Sequence, residues 1–360
     1  MSMNILNRLG NLQDKKWFTP TIAALFSAIA VFCFFPHAAK AYIIDPNRQE
    51  IAGDPGSVIS SQFNVINTTD QPQTFYVSVQ NFEAADETGN PKFVNTKEGL
   101  SIWTSFPASV SAAAHGTATI PFKVTVPKDA DPGGYSAGIF AATQPPSTEN
   151  SNVSIGSRVG MLLLFDVNGN VTDSISILEF GTQGLHRFYS VLPIDFYYRF
   201  QNSGADRIKP LGDVLIVNMF GHTTKILDAN SVDGNVLPKS IRRFESAWFR
   251  DGGYVNEAPA VFPTDPPHLS FFGAAKAELT NFAFGLYTAH LNLAYGNTIQ
   301  KSATATFRFF IFPWQLLIIL LVLLAILYWI LKISIRRYNR HIIRQAQASR
   351  INSSASPGKK

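Results

Sequence analysis

An uncharged apolar run, Phe309–Leu331 (FFIFPWQLLIILLVLLAILYWIL), dictates how the rest of this chain is placed. At 1.5 Å per residue it extends roughly 34 Å as a helix, enough to cross a hydrocarbon core of about 30 Å. Backbone groups in lipid must pair within their own segment, so the run is predicted to be helical. Pro313 lies near its start, where a missing N–H is tolerated. Trp314 near one end and Tyr328 and Trp329 near the other match headgroup-level aromatic belts. Lys332, Arg336, Arg337, Arg340 and Arg344 follow at once, and no acidic residue occurs after Glu278. Positive charge stays in the cytoplasm, which predicts a cytoplasmic C-terminus and an exterior location for everything before the run. Residues 332–360 form a basic tail, and its end (SRINSSASPGKK) has the composition of a disordered segment.

The N-terminus agrees. Arg8, Lys15 and Lys16 precede an apolar stretch, Pro20–Pro36, and Ala39-Lys40-Ala41 is an A-x-A cleavage pattern. A signal peptide over 1–41 is expected, cut between Ala41 and Tyr42. The alternative is a retained N-terminal anchor, and both deliver 42–308 outside. Cys33 is the sole cysteine and lies in this leader, so no disulfide, zinc cluster or cysteine nucleophile is available to the mature exterior. The whole-chain charge of +5 misleads. Removing the eight positive charges of the tail and the net three of the leader leaves 42–331 at −6, which argues against nucleic acid as a partner. The tail is an orientation signal with affinity for anionic lipid.

Between leader and span, apolar residues alternate with period two and turns interrupt them, with no convincing helix. Thr119–Pro127 shows it best: Ile120, Phe122, Val124 and Val126 share one face. Pro121 lacks a donor, which predicts an edge or a bulge there. Residues 83–98 read as a long polar excursion. Asp129–Gly134 (DADPGG) reads as a tight turn, and the small residues of the next strand, among them Gly138 and Ala141, require something packed close against it. Arg158–Val167 is nearly continuous apolar sequence, as for a strand buried on both faces. Six to eight such strands in 42–171 predict an immunoglobulin-like antiparallel β-sandwich. Residues 172–308 have the same texture and predict a second. The fold class is all-β, two tandem immunoglobulin-like sandwiches plus one C-terminal transmembrane helix.

The segments NTTDQPQTFYVSVQNF, IPFKVTVPKDADPGGYSAGIF and GSRVGMLLLFDVNGNV, in this order, resemble the bacterial WxL-interacting cell-surface proteins. The resemblance is strongest over 57–171. It implies a peptidoglycan-binding first domain, a second immunoglobulin-like domain that binds host or matrix ligands, and a C-terminal membrane anchor.

No catalytic constellation is legible. The exterior histidines form no H-x-x-x-H or H-x-H pair, and no G-x-S-x-G, P-loop or G-x-G-x-x-G occurs. No catalytic, cofactor or metal residue is assigned. Asp129 and Asp131 lack the further oxygen ligands of a calcium loop, so a capped turn is the better account. Trp103, Phe106 and Tyr135 have the chemistry to stack on sugars, with core packing favoured. Trp248 and Arg250 sit at a strand end and are residue types common at interface centres, although burial is favoured there too. Arg242-Arg243 reads as a solvated face. The resulting expectation is a non-enzymatic membrane-anchored bacterial surface protein that binds peptidoglycan or partner surface proteins as a scaffold or adhesin. A membrane-tethered extracytoplasmic chaperone of pilus type is the alternative, and an enzyme with a site assembled between domains the third class. Converging carboxylates or histidines in a cleft would mark the enzyme. An exposed edge strand beside an apolar groove would mark the chaperone.

Overall fold

The computed structural model describes residues 42–145, 158–249, 270–296 and 300–354. The leader, with Ala39 and Ala41, and Arg250 lie outside the described residues. Two immunoglobulin-like β-sandwiches follow one another and a single long apolar helix ends the chain.

In the first sandwich, one sheet has the order β1 (Tyr42–Asp45), β3 (Val58–Asn67), β8 (Thr117–Thr125), β6 (Thr104–Ser105). The other has β2 (Arg48–Gly53), β10 (Arg158–Val167), β9 (Gly133–Ala142), β4 (Gln73–Ala84), β5 (Pro91–Val94), with β7 (Ser109–Ala112) also on β4. The chain therefore crosses from one sheet to the other between β1 and β2, and β2 runs parallel to β10. The β8 alternation holds throughout: Ile120, Phe122 and Val124 are buried and pack with Phe63, Phe75, Met161 and Phe165. Pro121 faces Gln62 of β3 on one side, and β6 pairs only with Lys123 and Val124 on the other, so the missing donor falls at an open edge. The polar excursion is a hairpin rather than a loop, with β4 running on to Ala84 and β5 returning along it. Phe93 of β5 explains the small residues of β9, because a Cβ at Gly138 would lie 2.7 Å from its ring. A short helix, α1 (Leu100–Trp103), closes one end.

The second sandwich pairs β11 (Ile175–Thr182), β13 (Ile194–Asn202) and β16 (Ser240–Trp248) in one sheet. The facing sheet has the order β12 (Phe188–Tyr189), β18 (Lys301–Ile311), β17 (Gly285–Tyr295), β14 (Leu211–Asn218), β15 (Thr223–Asp228). Its core is built on aromatics, with Phe309 stacked on Tyr287 at 5.8 Å and edge-on to Phe196 and Trp248. A ten-residue helix, α2 (Phe271–Thr280), departs from the expectation of strands alone. Ser270 caps it by accepting from the Gly273 N–H, while two phenylalanines and a glycine in its first turn hide any helical periodicity.

The apolar run is divided. Phe309–Ile311 belongs to β18 and is buried or half-buried in the sheet, so Phe309 is a core residue and not the start of a membrane span. The helix α3 begins at Trp314, directly after Pro313, and continues to Ser354. Both environments are apolar, and hydropathy alone does not separate them. The stretch Trp314–Gln345 is long and apolar enough to cross a membrane, and none of its most apolar window is buried within the protein. The basic residues Lys332, Arg336, Arg337, Arg340 and Arg344 ride on the same helix, which extends into the segment expected to be disordered.

Candidate binding cleft between the two sandwiches

Strand β10 explains why its sequence looked buried on both faces. Met161, Leu163 and Phe165 point into the first core, and Leu162, Leu164 and Asp166 have the opposite parity. That outer face is covered by the second sandwich. Phe82 and Leu164 are buried there although they belong to neither core, while Phe140, toward the far end of β9, is covered by Phe93 and Arg158 of the same sandwich.

Charged residues seam the two units. Arg207 donates from Nε to Asp166 Oδ1 at 2.8 Å and from Nη2 to Oδ2 at 2.6 Å, and its Nη1 reaches Glu50 Oε2 at 2.6 Å. Asn235 donates to the other Glu50 oxygen at 3.0 Å. Arg48 donates to Asp233 at 2.6 Å, and Lys209 lies 3.0 Å from the same carboxylate. At the hairpin tip, Arg199 holds Glu87 with two bonds, and the Arg243 N–H donates to the Glu87 carbonyl at 2.7 Å. The Gly134 N–H donates to the Ala205 carbonyl at 2.9 Å. This contact gives the Pro-Gly-Gly turn its reason. Gly133 has φ +144, and a Cβ on it would lie 2.5 Å from that carbonyl oxygen.

Inside the seam is a cleft of about 210 Å³. Leu162, Leu164, Phe82 and Ala84 form its floor, and Leu237, Ile241 and Ser240 face them. Arg48 and Arg242 enter it. The Arg242 guanidinium is pressed between Gly89 of the first sandwich and Gly234 of the second, where added Cβ atoms would lie 2.4 and 2.6 Å from Cζ. Its Nη1 donates to the Asn235 carbonyl at 2.7 Å, and its buried Nε has no partner. Among the described residues no carboxylate pairs with it. Burial and the nearby Arg48 charge both pull its pKa below the ordinary value. Arg242 is therefore a correction to the solvated-face reading of Arg242-Arg243. It shares the inward parity of Phe244 and Trp248 on β16, and that spacing was the available signal. Arg243 behaves differently, lying over the Tyr197 ring at 3.9 Å and bonding Glu245.

Titration of the seam has two arms. Burial pushes the Asp166 carboxyl up to about 6, against the pull of Arg207. Burial also raises Glu50 and Asp233, but the cations around them outweigh it and leave both below their ordinary values. The Arg199 hydrogen bond likewise lowers Glu87. Between about 6 and 3.8 the folded state binds a proton at Asp166 that the unfolded chain does not, so stability rises as pH falls through that window. Below about 4.5 the order reverses, because Glu50, Glu87 and Asp233 bind fewer protons folded than unfolded. The thermal midpoint is therefore expected to rise as pH falls below about 6 and to fall again as Glu50, Glu87 and Asp233 are protonated at lower pH. Melting curves of wild type and Asp166→Asn check this, since the substitution should flatten only the upper arm.

Of the described residues expected at a ligand surface, Trp103 and Tyr135 are brought together, and Trp248 lies in the other sandwich. Trp103 and Tyr135 pack on each other at 4.6 Å and, with Phe106, lie half-buried along the first core. Trp248 is buried, as favoured, and so drops out of the candidate surface: it is 3% exposed, edge-on to Tyr287, because its place on β16 points inward. Tyr42 opens β1 and packs edge-on against Phe75. Among the described residues no cluster of three or more His, Cys, Asp or Glu is arranged to hold a metal ion. Glu50 and Asp166 do converge, but on one guanidinium that occupies both.

No protein-family model matches the chain, and no curated protein matches it. Several solved structures share its backbone course in part. The class 5 fimbriae chaperone CfaA is 11% identical, with 75% of this chain and 99% of that chain covered and a TM-score of 0.34. The Pseudomonas aeruginosa CupB2 chaperone is 12% identical over 74% of this chain and 100% of that one, with a TM-score of 0.33. A PapD-like domain of human CEP192 is 13% identical over 37% of this chain and 88% of its own, with a TM-score of 0.26. No functional assignment follows from likeness at that level.

Proposed function

We propose that this chain is a single-pass, membrane-anchored bacterial surface protein that works by binding, with its sandwiches outside the cell and its C-terminus in the cytoplasm. Its ligand is cell-wall peptidoglycan, held through the carboxylates of the peptide stems in the cleft between the sandwiches. The observation that carries this reading is Arg242, a guanidinium walled into an apolar cleft with Nε unpartnered. A guanidinium offers a planar fork of donors matched to a carboxylate. Among the described residues Asp86, which also lines the cleft, accepts from Thr88, and Glu50, Asp166 and Asp233 are held by Arg207, Arg48 and Lys209.

Co-sedimentation of the full chain, carried in nanodiscs, with isolated cell-wall sacculi tests the proposal. Saturable pelleting that survives removal of attached polymers is expected. Arg242→Met should weaken it by about tenfold or more, since a hydrogen bond to a charged group contributes about 1.5–3 kcal/mol. Pelleting lost on stripping would move the ligand to a secondary polymer or a surface protein. Pelleting indifferent to Arg242→Met would move it out of the cleft. No pelleting at all would sink the wall reading in favour of a membrane-tethered chaperone of pilus type.

A further inference from the structure

The two strands that lead into α3 change character along their length. On the outward face of β18, Ser302, Thr304, Thr306 and Arg308 are followed by Phe310 and Phe312. Its partner β17 changes at the same level, with Asn292 opposite Thr304 and Leu286 opposite Phe310. Phe284 is 44% exposed and Phe312 45% exposed, and each ring lies 6.2 Å from the Phe310 ring. Phe188 of β12, 80% exposed, adds a fourth ring 6.4 Å from Phe310. A folded sheet does not strand this many rings in water without a reason.

The helix α2 continues the same rim. Phe271 packs edge-on against Trp314 at 5.9 Å, while Phe272 stands 77% exposed. What holds α2 in place is Glu278. Its Oε2 accepts from the Leu316 N–H at 2.8 Å, in the first turn of α3, where backbone donors lack intrahelical partners. Glu278 is the single carboxylate on α2, β12, β17 and β18, and it is buried. Among the described residues of these elements and Arg187 beside them, the exposed charges, Arg187, Lys276 and Arg308, are all positive.

We propose that this rim is a second membrane contact: the exposed aromatics of β12, β17, β18 and α2 enter the interfacial zone of the leaflet that faces the ectodomain. The inference rests on the reading of α3 as a membrane span and goes beyond it, because a span alone requires nothing of the sandwich above it. Continuity fixes the occupant. Only Phe312 and Pro313 separate the sheet from the helix, so the rim cannot stand away from the headgroups. Phe310 to Phe312 is two strand steps, about 7 Å, within the roughly 5–10 Å to which interfacial apolar faces are buried. Aromatic rings with Arg and Lys behind them are the side chains that favour this layer, where the cations meet anionic headgroups. The sandwich is then seated on the bilayer in one orientation instead of swinging from a tether.

The test uses the full chain in liposomes, in a Cys33→Ser background, with one environment-sensitive fluorophore on a single introduced cysteine. Phe284→Cys and Phe272→Cys probe the rim, Thr304→Cys the same sheet above it, and Leu324→Cys the span. The rim labels are expected to be blue-shifted relative to Thr304→Cys and quenched by lipids carrying a nitroxide near the headgroup. Rim labels that report water while Leu324→Cys is quenched would overturn the inference and leave the span intact. Blue-shifted rim labels that no nitroxide lipid quenches would place protein on the rim and also overturn it. A label at Leu324→Cys that lipids carrying a nitroxide deep in the acyl chain leave unquenched would overturn the span, and the rim contact with it.

Discussion

Arg207→Met is expected to destabilise the junction between the sandwiches by about 3–5 kcal/mol, because it leaves Asp166 without the cation that accompanies its burial, while Glu50 keeps Arg48 and Lys209 within 3.5 Å. Arg207 is 12% exposed and Asp166 16%, so solvent cannot make good the loss. The ectodomain is expected to melt in one transition when wild type and in two when Arg207 is replaced, as each sandwich keeps its own core. Arg207→Lys should fall between, having charge without the two-pronged geometry. Combining Arg207→Met with Asp166→Leu should recover much of the loss, since an apolar pair removes the stranded charge. An Arg207→Met protein that melts as wild type would show that the seam is held elsewhere.

Phe309→Ala is expected to cost the second sandwich about 3–5 kcal/mol, the usual range for emptying a buried aromatic site. Phe309 is 1% exposed and touches the rings of Tyr189, Phe196, Tyr287 and Trp248. Leu320→Ala, eleven residues on and half-exposed, should leave ectodomain unfolding within about 0.5 kcal/mol of wild type. Denaturant unfolding followed by tryptophan fluorescence suits the pair, because Trp248 lies 6.2 Å from Phe309. Equal, small effects of both substitutions would put Phe309 back in the membrane segment.

These two residues show where the sequence was transparent and where it was not. Strand β8 was legible because one face is core and the other water, so its alternation is a local consequence of the sheet. The apolar stretch of β10 was legible as doubly buried, yet nothing local said that its second cover was another sandwich. Phe309 was misplaced because sheet core and hydrocarbon select the same side chains, and the boundary is drawn by strand pairing with Gly285 to Tyr287. The hairpin β4–β5 was hidden by the polar tip at 86–90. The helix α2 owes its position to Glu278 meeting the start of α3, a contact across 38 residues. The cleft was least visible. Arg207 joins partners 41 and 157 residues away, and Arg242 looked like half of a surface pair until its strand parity was known.

The route from β18 into α3 has a mechanical consequence. Strand β18 pairs with β17 over eleven successive residues, Lys301 to Ile311, and its last residue is two short of the helix. A load applied to the ectodomain and resisted by the bilayer would run along β18, at right angles to its hydrogen bonds. Those bonds would be sheared together rather than peeled one by one, so the membrane attachment is joined to the second sandwich at a place suited to bear tension.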